Sequence, residues 1–148
     1  MTATDDLSLL DERLCFALYS TAQAITKEYK SLLGRLNMTY PQYLVFLALT
    51  PEDEVTVKAL GERLFLDSGT LSPLLKRMQQ AGLINRYRDA EDERKVMVGL
   101  TDKARELTPE ITSIQQEVAC STGLETVEFK QLLQQLQNLN RHLRNGND

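Results

Sequence analysis

"LINRYRDAEDERKVMVGL" (Leu83–Leu100) decides the fold. Its first six residues alternate, with Leu83, Asn85 and Tyr87 on one side and Ile84, Arg86 and Arg88 on the other, which is the period of a strand. "KVMVGL" (Lys95–Leu100) is β-prone as well, and the polar "DAEDER" between them is long enough for a hairpin with a protruding tip.

Around this hairpin the chain reads as helix. "TVKALGERL" (Thr56–Leu64) is a short capped helix with Val57, Leu60 and Leu64 as its apolar stripe. "FLDSG" follows as a tight connection in which Asp67 or Ser68 caps a further helix through about Ala81. That helix turns Leu71, Leu74, Leu75 and Met78 inward, and Gly82 ends it in the left-handed conformation. Pro73 lies beyond its first turn and predicts a local kink or a distorted start. Upstream, "TYPQ" (Thr39–Gln42) joins a capping threonine, a glutamine three residues on and a first-turn proline, opening a helix to about Leu49. "TPEDEV" then reads as an acidic turn.

Both ends carry apolar seams. Cys15, Leu18, Ala22, Ile25, Tyr29, Leu32 and Leu36 keep a 3-4 spacing, as do Ala104, Leu107, Ile111, Ile114 and Val118 after the capping Thr101. A final helix carries Phe129, Leu132, Leu133, Leu136, Leu139 and Leu143. The expected class is mainly α with a small β-hairpin wing. A winged helix-turn-helix region (39–100) stands between dimerisation helices at 8–36 and 101–144, in a single chain of 148 residues.

Composition narrows the function. Apolar residues make 42% and charged residues 26%, ordinary for a soluble domain. The longest apolar run, Tyr43–Leu49, is too short to span a bilayer, and the opening "MTATDDLSLLDE" is acidic rather than a secretory leader, so a cytoplasmic protein away from membranes is expected. His142 is the only histidine and is far in sequence from both cysteines, so no metal site and no cofactor are expected. The net charge of −4 hides an inversion: residues 58–95 carry 8 basic and 6 acidic groups, and Lys76–Arg88 holds four positive charges and no acid. A basic stretch in an acidic body suits phosphate contact at one place.

That place is the helix–turn–helix and its wing. With the apolar stripe inward, Ser68, Thr70, Ser72, Lys76 and Arg77 face out. Small hydroxyls at the helix start can approach base edges in the major groove, and Lys76 and Arg77 suit phosphate or guanine. At the wing, Arg94 suits the minor groove with Asp92 holding its guanidinium, and Arg86 belongs to the same basic surface. The partner implied is a double-stranded DNA operator. The bland reading, solvated charges on two helices, is outweighed by the order of elements together with the charge inversion.

"LKRMQQAGLINRYRDAEDERKVMVGLT" (Leu75–Thr101) resembles the MarR family pattern, with its "GLI.R", the wing "D.R" and the closing "LT". The resemblance extends over essentially the whole chain and implies a homodimer whose first and last helices interleave. "LCFALYSTA", "MTYPQYLV" and "ERLFLDSGTLSPLLKRM" are most similar to the OhrR branch, repressors that sense organic hydroperoxides. Pro73 fits that branch pattern.

The two cysteines, 105 positions apart, raise the question of a thiol switch. By default Cys15, on an apolar seam, is core filler. Arg13 is offset by Asp11 and Glu12, and a position in the second turn of a helix feels little of its dipole. Yet Tyr29 shares that seam, about 21 Å away along a helix, where it could meet Cys15 only across two antiparallel copies. A phenol aimed at sulfur would stabilise a thiolate, although tyrosines at Tyr29 and Tyr40 are more often plain core. Cys120 falls on a polar face with Ser113 and Gln116. The OhrR resemblance implies more. Cys15 matches the peroxide-sensing thiol, Tyr29 and Tyr40 of the partner subunit match its hydrogen-bonding phenols, and Tyr19 is a further lining residue. Cys120 matches a resolving thiol that closes an intersubunit disulfide and releases DNA. Two other readings stand beside it: a MarR-type regulator answering a small phenolic or lipophilic ligand with incidental cysteines, and a thiol peroxidase. The last is disfavoured, since a helix–helix–hairpin order serves no peroxidase, so no enzyme is expected.

Overall fold

Residues 9–146 are described by the computed structural model of the chain, so residue 8, the expected start of the first dimerisation segment, lies outside the described residues. The order is a 3-10 turn (Leu10–Glu12), α1 (Leu14–Leu33), a second 3-10 turn (Gly34–Leu36), α2 (Tyr40–Leu49), β1 (Val55–Thr56), α3 (Val57–Leu64), α4 (Ser68–Gln80), β2 (Ile84–Arg88), β3 (Val96–Leu100), α5 (Asp102–Arg105), α6 (Thr108–Ser121) and α7 (Thr126–Asn145).

Side-chain caps fix where the central helices begin. Thr39 Oγ1 accepts from the Gln42 amide at 3.3 Å while Gln42 Oε1 accepts from the Thr39 amide at 3.0 Å, so both orphan donors are met. Thr56, Asp67 and Thr101 accept from the amides of Ala59, Thr70 and Ala104 at 3.0, 2.7 and 3.1 Å. The threonine caps contribute on the order of 1 kcal/mol each. Asp67 is therefore the cap of α4 and Ser68 its first residue. Gly82 (φ +75°) closes that helix, with Leu83 N–H donating to Met78 O at 2.9 Å. Pro73 does not interrupt α4. The carbonyl that loses its partner to proline belongs to residue i−4, Gly69, which is exposed, so water can take the missing place.

Two features depart from the sequence reading. The acidic turn ends in β1, which pairs antiparallel with β3 (Val55 opposite Val98), making a three-stranded sheet of order β1-β3-β2. The wing proper is β2 against β3, with Ile84 opposite Leu100 and Arg88 opposite Val96. Further on, the 3-4 spacing after Thr101 is two helices rather than one. Pro109 cannot donate to the Arg105 carbonyl, which instead accepts from Thr108 Oγ1 at 2.7 Å.

The chain divides into two compact units after Ile114. In the first, Phe46, Leu49, Leu60, Leu71, Leu75, Met78, Ile84 and Val98 form the centre of one core, joined by Leu33 of α1 and Ile111 and Ile114 of α6. Only the last turns of α1, through Tyr29, Leu32 and Leu33, take part, since Leu14, Tyr19 and Ile25 stay exposed. In the second unit, α7 buries no residue and leaves Phe129, Leu132, Leu133, Leu136 and Leu143 exposed. A row of that kind along one helix is not a normal finished surface.

Candidate nucleic-acid interface and thiol site

The buried stripe of α4 fixes what its other side presents. Leu71, Leu74, Leu75 and Met78 are buried, and Ser68, Thr70, Ser72, Lys76 and Arg77 are all exposed. Lys103, from the first turn of α5, donates through Nζ to Ala81 O at 3.0 Å and satisfies the far end of the helix.

At the wing tip, Asp92 Oδ1 accepts from both the backbone amide and Nε of Arg94, each at 3.1 Å. These bonds hold the Asp92 carboxyl below the usual carboxylate range. The Arg94 side chain is 92% exposed against 29% for Asp92, so the carboxylate steadies a guanidinium that remains free to face a ligand. Arg86 is half-buried in β2. Arg88 was not singled out from sequence, yet its Nη1 donates to Glu93 O at 2.8 Å and braces the tip from the strand below. Its signal was present: it lies on the Arg86 side of the alternating strand, just before the loop. Replacing Arg94 with alanine should weaken operator binding by about 1–3 kcal/mol, read by fluorescence anisotropy. Asp92→Ala should cost less, because it orients the cation without touching DNA; equal losses would mean the carboxylate does something else. The clamp is complete above the ordinary carboxylate pKa and is lost as pH falls through the lowered folded value, so it is intact at neutral pH.

Cys15 is the second residue of α1, which starts at Leu14 with Arg13 as a cap lacking a side-chain bond. The expected second-turn position is therefore corrected to the first turn, at the positive end of the peptide dipoles. Cys15 and Cys120 are both free and exposed. Tyr19 is exposed too, and its hydroxyl accepts from Gln23 Nε2 at 3.1 Å, toward the following turn. Tyr29 sits on the same unbroken helix as Cys15, fourteen residues on and about 21 Å away.

Tyr29 meets Tyr40 and Tyr43 in a three-ring cluster. Centroids lie 5.5 Å (Tyr29–Tyr40), 4.9 Å (Tyr29–Tyr43, stacked) and 5.9 Å (Tyr40–Tyr43) apart. The Tyr29 and Tyr43 hydroxyl oxygens lie 3.4 Å apart, a long hydrogen bond. In the sequence Tyr43 heads an apolar run, and its spacing of three from Tyr40 on α2 puts both on one face. Burial first, and the hydrogen bond with Tyr43 second, push the Tyr29 phenol well above the ordinary tyrosine range; burial also raises Tyr40. A raised folded value means the neutral phenol is favoured: its contribution to stability is complete below the unfolded pKa of about 10 and is lost as pH rises through the folded one. In an alkaline absorbance titration at pH values short of unfolding, Tyr29→Phe should therefore remove a late-ionising phenol; removal of an early one would contradict the buried cluster.

Among the described residues no cluster of three or more His, Cys, Asp or Glu could hold a metal ion, and no helix is long and apolar enough to cross a membrane.

Residues 27–111, more than half of the chain, match the family described as transcriptional regulator SarA/Rot. The HTH-type transcriptional regulator TtmR of Methylorubrum extorquens (strain PA1) is 46% identical over 142 residues, 96% of this chain and 73% of that protein. The organic hydroperoxide resistance transcriptional regulator of Bacillus subtilis (strain 168) is 56% identical over 93 residues, 63% of this chain and 63% of that protein. Among solved structures, reduced AbfR bound to DNA is similar at TM-score 0.77 and 31% identity, covering 95% of this chain and 98% of that one. AbfR, from Staphylococcus epidermidis, is also similar in its disulfide-formed state, at TM-score 0.66 and 32% identity over 93% and 96% of the two chains. With a capped helix–turn–helix, a basic outward face on α4 and an arginine-tipped wing, the chain belongs to the MarR/SarA-type winged-helix family of DNA-binding transcriptional regulators.

Proposed function

We propose that the chain works as a homodimeric repressor in the cytoplasm, holding a double-stranded operator while reduced and releasing it when an organic hydroperoxide oxidises Cys15. The observation that carries this reading is the placing of Cys15: exposed, in the first turn of α1, on a helix face left uncovered at its N-terminal end and carrying, further on, the half-buried Tyr29 that packs on Tyr40 and Tyr43. A second copy laid antiparallel on α1 would cover that face and bring the neutral Tyr29 and Tyr40 phenols of one subunit to the sulfur of the other. The exposed apolar row of α7 supplies further surface for the same dimer. Support comes from the B. subtilis relative, which is named for organic hydroperoxide resistance, and from AbfR, which is solved in reduced and disulfide-formed states.

In the proposed chemistry the Cys15 thiolate attacks the terminal oxygen of the hydroperoxide. The O–O bond breaks, the sulfur gains hydroxyl as a sulfenic acid, and the alkoxide leaves as the alcohol after taking a proton. The Cys120 thiolate of the other subunit then attacks the sulfenic sulfur, forming the disulfide and expelling hydroxide, which takes a proton to leave as water. The event is stoichiometric, one hydroperoxide per disulfide, with no turnover and no cofactor. The neutral phenols act as donors to the anionic sulfur.

The test is anisotropy of the reduced protein on DNA upstream of its own gene, followed by one equivalent of organic hydroperoxide and then dithiothreitol. Binding lost on oxidation and regained with thiol is the expected result. Binding indifferent to oxidant would return the reading to a small-ligand regulator, and repeated consumption of hydroperoxide without DNA affinity would make it a thiol peroxidase.

A further inference from the structure

We propose that Arg88 is a positioning residue for DNA recognition: from the end of β2 it fixes the peptide that carries Arg94, and so sets where that guanidinium points. This rests on the reading of Arg94 as the contact between wing and DNA. The tip has no core to hold it. From Tyr87 to Lys95 every residue is exposed or half-buried, so polar bonds give the loop its shape. The Asp89 amide donates to Lys95 O at 2.9 Å and continues the β2–β3 ladder, and the Lys95 amide donates to Asp92 O at 2.9 Å. The second bond closes a β-turn over Asp92–Lys95 with Glu93 and Arg94 at its centre. Neither central residue has a positive φ, so the turn is of type I and not type II. The peptide between them presents Glu93 O on one side and the Arg94 N–H on the other, and both are held. Asp92 Oδ1 accepts from the N–H at 3.1 Å, while Arg88 Nη1 donates to the carbonyl at 2.8 Å. A guanidinium only donates, so the sense of that bond is fixed.

The two holds differ in reach. Asp92 lies within the turn, two residues from Arg94, and travels with it. Arg88 stands in the strand opposite Val96, and its side chain crosses to a carbonyl five residues on. Asp92 therefore shapes the turn, and Arg88 ties the turn to the strand. Arg94 leaves the backbone directly after the held peptide and is 92% exposed along its side chain, so nothing packed around it would correct a turn that swings. A recognition group must be kept within roughly 0.5 Å or 10–20° of its productive geometry, and a long side chain magnifies any rotation at its root. The donor that Arg88 offers is turned to the protein's own backbone, and its part in binding runs through Arg94.

The experiment compares full-length wild type, Arg88→Ala, Arg94→Ala and the double variant, all reduced, on a duplex that the wild type enriches from a random-sequence pool. Affinity is read by fluorescence anisotropy, and the order of backbone amides in the free proteins by 15N relaxation. Arg88→Ala should weaken binding several-fold in the wild-type background, and by no more than about twofold where Arg94 is already alanine. Its Arg94 amide should lose order while the amides of Tyr87 and Met97, in the two strands, keep theirs. A loss undiminished in the Arg94→Ala background makes Arg88 a separate DNA contact and overturns the positioning role. Full affinity in Arg88→Ala overturns it too, as does an Arg94 amide as ordered as in the wild type. Disorder that reaches Tyr87 and Met97 marks damage to the whole wing and has the same consequence. An Arg94→Ala variant that binds as tightly as the wild type, or a pool from which nothing is enriched, overturns the reading of Arg94 and the proposal with it, and is recognised before Arg88→Ala is compared.

Discussion

Cys15→Ser should hold its operator as tightly as the reduced wild type and keep holding it when organic hydroperoxide is added. Serine preserves the size of the side chain in the first turn of α1, so the apolar face around it is little changed. What it removes is the sulfur. A serine hydroxyl is not ionised at neutral pH and has no ladder of sulfenic, sulfinic and sulfonic states to climb. The oxidised wild type should fall toward non-specific binding, roughly 10³-fold weaker or more, whereas the variant should not respond. Cys120→Ser separates the two steps of the chemistry. Its Cys15 should still gain the mass of one oxygen, but no intersubunit disulfide should appear on a non-reducing gel, and release should then depend on a small thiol capping the sulfenic acid. Release of DNA by Cys15→Ser at the wild-type oxidant dose would end the sensor assignment.

How much of this was legible in the chain depends on how local each signal is. The helix–turn–helix and wing were readable because caps, closing glycine and alternation are decided within a few residues: Thr39 with Gln42, Asp67 with Thr70, Gly82, and the strand from Ile84 to Arg88. The outward set on α4 followed from its buried stripe for the same reason. What escaped was non-local or masked. β1 is two residues long, too short to display a period, and its partner β3 lies two helices downstream. The break between α5 and α6 was hidden because Ala104, Leu107 and Ile111 keep the helical spacing straight through it, and only Pro109 marked the place. The start of α1 has no capping side chain, since Arg13 stands where a serine or aspartate would announce it, and so the turn holding Cys15 was misplaced. Tyr43 was hidden inside an apolar run, where a hydroxyl is easily overlooked until its partner on another helix is seen.

β1 also sets the second large expected effect. Gly99→Ala should destabilise the protein by about 1–3 kcal/mol, the usual cost of forcing a methyl group into a filled space. Gly99 stands in β3 between Val98 and Leu100, and a Cβ there would lie 2.5 Å from Asp53 O and 3.5 Å from Glu54 Cβ. The near atom is backbone, and it belongs to the turn that delivers β1 to its place beside Val98. That turn cannot drift away freely. Arg105 donates through Nη1 to Thr50 O at 3.3 Å and through Nη2 to Glu52 O at 2.9 Å, tying it to α5. The methyl group must therefore either break these bonds or push β3, and β3 is the strand on which the wing is built. The melting temperature should fall by several degrees, at roughly 2–4 °C per kcal/mol or somewhat more for a chain of this size. Operator affinity should fall with it, since moving the root of the wing moves Arg94. Gly34→Ala is the matched control: it stands in a 3-10 turn at φ −56°, and an added Cβ meets nothing within 4 Å, so it should be neutral or slightly stabilising. Equal melting temperatures for the two variants would show that the turn before β1 yields easily, and the short third strand would then carry no weight in holding the wing.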